Sequence, residues 1–228
     1  MNEENNLYSN SIKNKKKEEL NMKIENGKLI KVTDSDIDKR GIFVFPDNIK
    51  TICDLAFHNC KTLKSITIPE GVEEIGKEAF LNCTKLKSVN IPRSITKIKN
   101  GTFAFCESLE VVMMHNKITD IGRNAFRHCK SLKSIVIPSI ITHIREGTFD
   151  SCISMDYIVI PENIKKISKN AFNNCVSLRY LTIPNSLTSD CIDEFTFSGC
   201  ISLEFITAID VCGTFNNQKY ITWHINKK

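Results

Sequence analysis

The residues of this chain best suited to chemistry are its thiols and imidazoles, 10 cysteines and 5 histidines among 228 residues. Cys60, Cys83, Cys106, Cys129, Cys152 and Cys175 follow one another at a step of 23, and Cys200 comes 25 residues later. Zinc sites take cysteines in close pairs, and no C-x-x-C occurs here, so no metal is expected. Disulfides between neighbouring repeats would need side chains that point at each other. Equivalent residues on stacked strands lie about 4.8 Å apart but point in parallel. The seven cysteines are therefore expected to be buried thiols acting as small apolar groups in a reducing compartment, with Cys53, Cys191 and Cys212 outside the series. His58, His115, His128, His143 and His224 form no close cluster. His58 and His128 each flank a cysteine of the series, so a Cys-His pair is conceivable. A nucleophilic thiol, however, needs exposure and a lowered pKa, and the series already assigns those cysteines to the core. No nucleophile-elbow, zinc-protease or phosphate-loop motif is present. The expectation is a protein with no catalytic residue, no metal and no cofactor.

What the cysteines mark instead is a repeat. Phe57, Phe80, Phe103, Phe126, Phe149, Phe172 and Phe197 keep the same step three residues ahead of them. All 6 prolines, Pro46, Pro69, Pro92, Pro138, Pro161 and Pro184, head a unit, with His115 in the equivalent place of the fourth. The unit reads I-P-x-x-I-x-x-I-x-x-x-A/T-F-x-x-C-x-x-L-x-x-I-x and runs from 44 to 209. With 41% hydrophobic and 25% charged residues but only 9 glycines, the chain has the material for one elongated core.

Within a unit, a segment such as KSITIP at 64–69 alternates, Ile66 and Ile68 on one side and Ser65 and Thr67 on the other. It is a short strand ended by Pro69, which cannot donate to a ladder. The next stretch places Val72, Ile75, Ala79, Phe80 and Cys83 at steps of three and four, which predicts a helical or 3-10 turn with one buried stripe. Neither half can bury its apolar side alone. Stacked, the strands should pair in parallel and the Ile, Leu, Phe and Cys positions should form ladders.

The ends differ from the units. Residues 1–20 are polar and expected to be disordered. Residues 21–43 hold Asn26-Gly27 between two alternating runs, a hairpin signal, and are expected to cap the amino end. Residues 44–209 hold seven repeats, and 210–228, with the β-like run KYITWHI and the single Trp, are expected to close the carboxy end. The first 20 residues lack an apolar secretory core, and no run reaches the ~18 residues of a membrane span. This points to a cytoplasmic protein with no transmembrane segment. Net charge is +5 and the pI about 8.6, yet basic and acidic residues are interleaved along every unit. No nucleic-acid stripe is expected.

The unit I-P-x-x-[IV]-x-x-I-x-x-x-A-F-x-x-C-x-x-L-x-x-[IV] resembles the BspA-type leucine-rich repeat, a variant of the horseshoe repeat found in bacterial surface and secreted proteins and in protists. The resemblance implies an α/β repeat fold: a right-handed solenoid with one parallel sheet face and short helical or 3-10 segments opposite. It also implies that the molecule binds protein partners, as an adhesin at the cell surface in better-known members.

Function in a solenoid lies where the units differ on the sheet face. The fifth residues after each cysteine of the series run Ser65, Ser88, Val111, Ser134, Tyr157, Tyr180, Phe205, and the seventh run Thr67, Asn90, Met113, Val136, Val159, Thr182, Thr207. From the third unit on the face turns apolar. Val111, Met113, Val136, Tyr157, Val159, Tyr180 and Phe205 are the candidate partner-binding residues, since contiguous exposed apolar patches mark interaction sites and Tyr is a favoured anchor. The fourth residues, Lys64, Lys87, Glu110, Lys133, Asp156, Arg179 and Glu204, border them with changing charge. The expected function is a non-enzymatic interaction scaffold inside the cell, the alternative a surface-associated adhesin.

Overall fold

The computed structural model describes residues 22–209; the expected disordered tail at 1–20 and carboxy-terminal cap at 210–228 lie outside the described residues. The chain enters through a hairpin. β1 (Lys23–Glu25) and β2 (Lys28–Lys31) run antiparallel, joined by Asn26 and Gly27 at φ 49° and 72°. Both turn residues are left-handed, as a two-residue hairpin turn that follows the strand twist requires. β2 then pairs in parallel with β4 (Thr51–Ile52), Leu29 beside Ile52, so the hairpin is continuous with the repeats.

From there the chain winds as a solenoid with two rows of short parallel strands. The first row, the sheet face, comprises β3 (Ile42–Phe43), β5 (Ser65–Thr67), β7 (Ser88–Asn90), β9 (Val111–Met113), β12 (Tyr157–Val159), β14 (Tyr180–Pro184) and β15 (Phe205–Ile209). The second row comprises β4, β6 (Glu74–Ile75), β8 (Lys97–Ile98), β10 (Asp120–Ile121), β11 (His143–Ile144) and β13 (Lys166–Ile167). Registers repeat at the unit length, Ser65 opposite Ser88, Ser88 opposite Val111 and Tyr157 opposite Tyr180. Most described inward residues of both rows are buried, among them Ile66, Val89, Ile158 and Leu181 from the first and Ile52, Ile75, Ile98 and Ile144 from the second.

The segment expected to be helical is not. Its first part is the second strand row, and its second part is a run of turns; the described residues contain only two 3-10 turns, Asp34–Asp36 and Ser189–Cys191. The hydrogen bonds give the reason. The N–H groups of Leu55, Phe57 and Asn59 donate forward to Lys77, Ala79 and Leu81 of the next unit, at 3.0, 2.7 and 2.9 Å. Those of Ala56, His58 and Cys60 donate back three residues, at 3.2, 2.9 and 3.0 Å. Alternate donors thus leave the unit, and a helix cannot form around them. Two left-handed residues per unit set this geometry, at the places occupied by Leu55 and Asn59 (φ 61° and 64°), then Glu78 and Asn82 (54° and 61°), and onward to Phe195 and Gly199 (57° and 73°).

Side chains lock the stack. Phe57, Phe80, Phe103, Phe126, Phe149, Phe172 and Phe197 form one column, with successive centroids 4.8 to 5.8 Å apart and rings within 17° of parallel. Each such pair contributes about 0.5–1.5 kcal/mol beyond its burial. Phe126 is fully buried between Phe103 and Phe149, so Phe126→Ala should cost about 3–5 kcal/mol by denaturant unfolding; a loss below about 1 kcal/mol would contradict the column. Leu55 is exposed and left-handed, a conformation that costs a branched side chain about 1–2 kcal/mol and Asn much less. Leu55→Asn should therefore raise stability, and a lower melting temperature would count against that assignment of strain.

Candidate functional site

The thiols are placed by the turn stack. In every unit the cysteine follows a left-handed residue and points back toward the preceding unit, where its Sγ–H donates to a backbone carbonyl. Cys83 reaches Phe57 O at 3.1 Å, and Cys106, Cys129, Cys152 and Cys175 reach Phe80, Phe103, Phe126 and Phe149 O at 3.2 Å each. Cys200 reaches Phe172 O at 3.1 Å, and Cys60 reaches Val32 O at 3.4 Å. Besides filling the core as small apolar groups, they are donors to carbonyls that an aliphatic residue would leave with one bond fewer. Burial pushes the Cys60, Cys83, Cys106, Cys129 and Cys152 thiols up, away from the reactive thiolate. All nine described cysteines are free, with Cys53 and Cys191 half-buried.

His128 is stacked on Phe105, centroids 4.5 Å apart, with the Arg127 guanidinium 6.0 Å from the Phe105 ring. Burial and the neighbouring Arg127 lower its pKa, while the adjacent Cys129 thiol is committed to Phe103 O. Arg127 Nε also lies 3.0 Å from Asp150 Oδ2, and Asp150 Oδ1 accepts from Ser151 Oγ and Asn173 Nδ2 at 3.0 Å each. No sequence signal marked this buried carboxylate, whose Oδ1 holds the turns through Ser151 and Asn173 while Oδ2 meets Arg127 as a charge neighbour without a well-aligned hydrogen bond. A cleft of about 330 Å³ on the second strand row is lined by Arg123, Arg145, Glu146, Lys166, Ser168, Lys169 and Asp193. Its charges are largely paired, Arg123 with Glu146 at 3.2 Å, Lys166 with Asp193 at 3.0 Å and Arg145 with Asp120 at 2.8 Å. Among the described residues no three His, Cys, Asp or Glu side chains are grouped to hold a metal, and no helix is long and apolar enough to cross a membrane.

The sheet face presents a different surface. Val111, Met113, Val136, Tyr157, Val159 and Tyr180 are all exposed, Val136 at 81% and the two tyrosines at 51% and 46%. Register sets Tyr157 directly beside Tyr180 and Val159 beside Thr182. Phe205 is placed by backbone register beside Tyr180, and its side chain lies outside what is described. Residues 134–136 depart from the continuous sheet expected from the repeat. They belong to no strand, so the row divides into β3-β5-β7-β9 and β12-β14-β15. The neighbouring β9 carries Val112 and Met114 only half-buried, where the unit before it buries Val89 and Ile91 and the unit after it, at the interruption, buries Ile135 and Ile137. The apolar residues thus sit on both sides of an interruption in the sheet.

The family model for the BspA type leucine rich repeat region matches residues 39–156 and 142–222, with 6 copies. No curated protein matches. Among solved structures, a leucine rich cell surface protein of Faecalibacterium prausnitzii A2-165 is similar at 30% identity and a TM-score of 0.55, over 73% of this chain and 53% of that one. The chain therefore spans about half the length of that protein. The T. pallidum leucine rich repeat protein TpLRR shares the fold at 24% identity and a TM-score of 0.70, over 81% of this chain and 87% of that one. The pneumococcal vaccine antigen PcpA shares it at 21% identity and a TM-score of 0.51, over 81% and 48%.

The thiol column carries a pH dependence. A cysteine whose folded pKa is raised stays protonated in the fold but ionises in the unfolded chain above about pH 8.5, so stability is full below that value and falls as pH rises. Each of the five buried thiols named above should cost about 1.4 kcal/mol per pH unit beyond it. Melting temperature should drop steeply between about pH 8.5 and 10, less steeply in Cys129→Ala, and alkylation of the native protein should spare the column. Equal slopes, or rapid labelling of Cys106 in the native state, would contradict this.

Proposed function

The chain belongs to the BspA-type leucine-rich repeat family, and from that premise we propose that it is a non-enzymatic module that binds a protein partner through the apolar part of its sheet face. The observation that carries this reading is the exposure of Val111, Met113, Val136, Tyr157, Val159 and Tyr180 on neighbouring units. Stacking of the solenoid accounts for the inward residues of each strand and for none of these. The two units just before the patch present the polar Ser65, Thr67, Ser88 and Asn90 at these positions, so apolar residues there are not a requirement of the strand; Val44, 76% exposed beside β3, is a separate apolar residue at the amino end of the row. Two tyrosines side by side supply large, stiff contact area at low entropic cost, the composition of interface anchors.

Two locations each rest on an observation. The free, reduced thiol column supports an intracellular scaffold. The cell surface protein that is 30% identical supports a surface-associated role. A carboxy-terminal tag labelled on intact cells would select the second, and labelling only after permeabilisation the first.

The sheet-face reading is tested by using wild type and the Tyr157→Ala/Tyr180→Ala variant as bait and titrating each ligand that wild type retains. Anchor residues at an interface typically cost 2 kcal/mol or more, so affinity should fall about thirtyfold or further while the melting temperature holds. Undiminished affinity would overturn the reading.

A further inference from the structure

We propose that the sheet face takes a second copy of this chain, docked face to face about a two-fold axis parallel to the strands and lying between residues 134–136 and β12. The inference rests on the reading that this face is the interaction surface, and it is carried by the order of charges along the border of the face. Lys64, Lys87, Glu110, Lys133, Asp156, Arg179 and Glu204 stand one per unit and are all exposed. A half-turn about such an axis keeps position along the strand and reverses the order of the units. Lys133 then meets the second copy's Asp156, Glu110 meets its Arg179, and Lys87 meets its Glu204. Every one of these pairs is opposite in sign, and each occurs twice.

Neighbouring registers do worse. Moving the axis half a unit toward either end sets Lys133 against Lys133, or Asp156 against Asp156, with further like pairs beside it. A full unit toward the amino end opposes Lys64 to Arg179. A full unit the other way matches signs but leaves Val111 and Met113 uncovered. In the chosen register Val136 lies on the second copy's Val159 and Val111 on its Tyr180, while Met113 meets its Thr182 and Tyr157 its Ser134. The alternation of charge could instead serve pairs within one chain. Among the described residues of this border column Arg179 and Asp156 meet each other, at 3.9 Å between exposed side chains, a long and solvated pair that contributes little and that the dimer would exchange for the second copy's Glu110 and Lys133.

The patch is modest. Four units at about 4.8 Å, each with a strand of three residues at about 3.3 Å, make an apolar patch of roughly 15–20 Å by 10 Å, on the order of 200 Å² and well below the ~800 Å² per partner of a standard interface, which puts the dimer in the weak class. Sedimentation from micromolar to about millimolar concentration should show a reversible monomer–dimer equilibrium. Lys133→Glu should weaken it about tenfold or more, and Lys133→Glu/Asp156→Lys should restore it. Register is read by the Met113→Cys/Thr182→Cys variant. Within one chain β9 and β14 are three units, about 14 Å, apart and beyond disulfide reach, so oxidation should give a covalent dimer that Met113→Cys alone does not. A monomer throughout the range, or a dimer that Lys133→Glu leaves unchanged, would overturn the proposal. If the protein is monomeric and Tyr157→Ala/Tyr180→Ala still abolishes capture of another protein, the second copy is wrong and the sheet-face reading stands. A dimer unmoved by Tyr157→Ala/Tyr180→Ala would overturn this proposal, while the sheet-face reading falls only if capture of another protein is also undiminished in that variant.

Discussion

Everything in this molecule depends on the alternation of hydrogen bonds in its turn stack. Because every second N–H of the turn donates to the next unit, each turn is completed only by its neighbour, as Phe57 is by Ala79 and Phe80 by Thr102. A unit therefore cannot change length in the turn without losing bonds on both sides, and the 23-residue step is the sequence trace of that constraint. The phenylalanine column and the thiols follow from it. Rings at equivalent places are set 4.8 to 5.8 Å apart by the backbone, and the cysteine is the small donor that reaches a Phe carbonyl of the preceding unit.

Much of this was legible. The repeat, the parallel pairing and the inward Ile, Leu and Phe positions are consequences of alternation and spacing. The hairpin was visible in Asn26-Gly27 because few residue pairs accept two left-handed conformations. The turn stack was not, since Val72, Ile75, Ala79, Phe80 and Cys83 fall at steps that a helix would also produce, and periodicity cannot tell a helix from a repeating turn. A signal did exist. Asn59, Asn82, Asn174 and Gly199 precede the cysteine, and Gly101, Asn124, Gly147 and Asn170 stand four residues earlier, all residues that tolerate a left-handed backbone. Leu55, Glu78, Phe105, His128, Ser151 and Phe195 occupy the same places and hide the pattern.

The outward positions of the sheet face were readable one by one, because strand geometry fixes which side chains leave the core. What the sequence did not carry is the interruption at 134–136, where SIVIP reads like its neighbours and buries Ile135 and Ile137 as they bury theirs. The donor role of the cysteines was hidden for a related reason: a thiol and a methyl are equally at home in an apolar column, and only the carbonyl opposite tells them apart.

The architecture separates tasks by face. The turn side and the second strand row spend their polar groups on the fold, in the Asp150 network and in ion pairs such as Arg123 with Glu146, while among the described residues the sheet face leaves large apolar side chains to solvent on four successive units, from Val111 to Tyr180. Hydroxyl-radical footprinting of the free and the associated protein tests that division most directly. The account predicts that oxidation of Met113, Tyr157 and Tyr180 falls on association while that of the exposed Phe195 on the turn side does not change. Protection of Phe195 with Tyr157 and Tyr180 still reactive would contradict it.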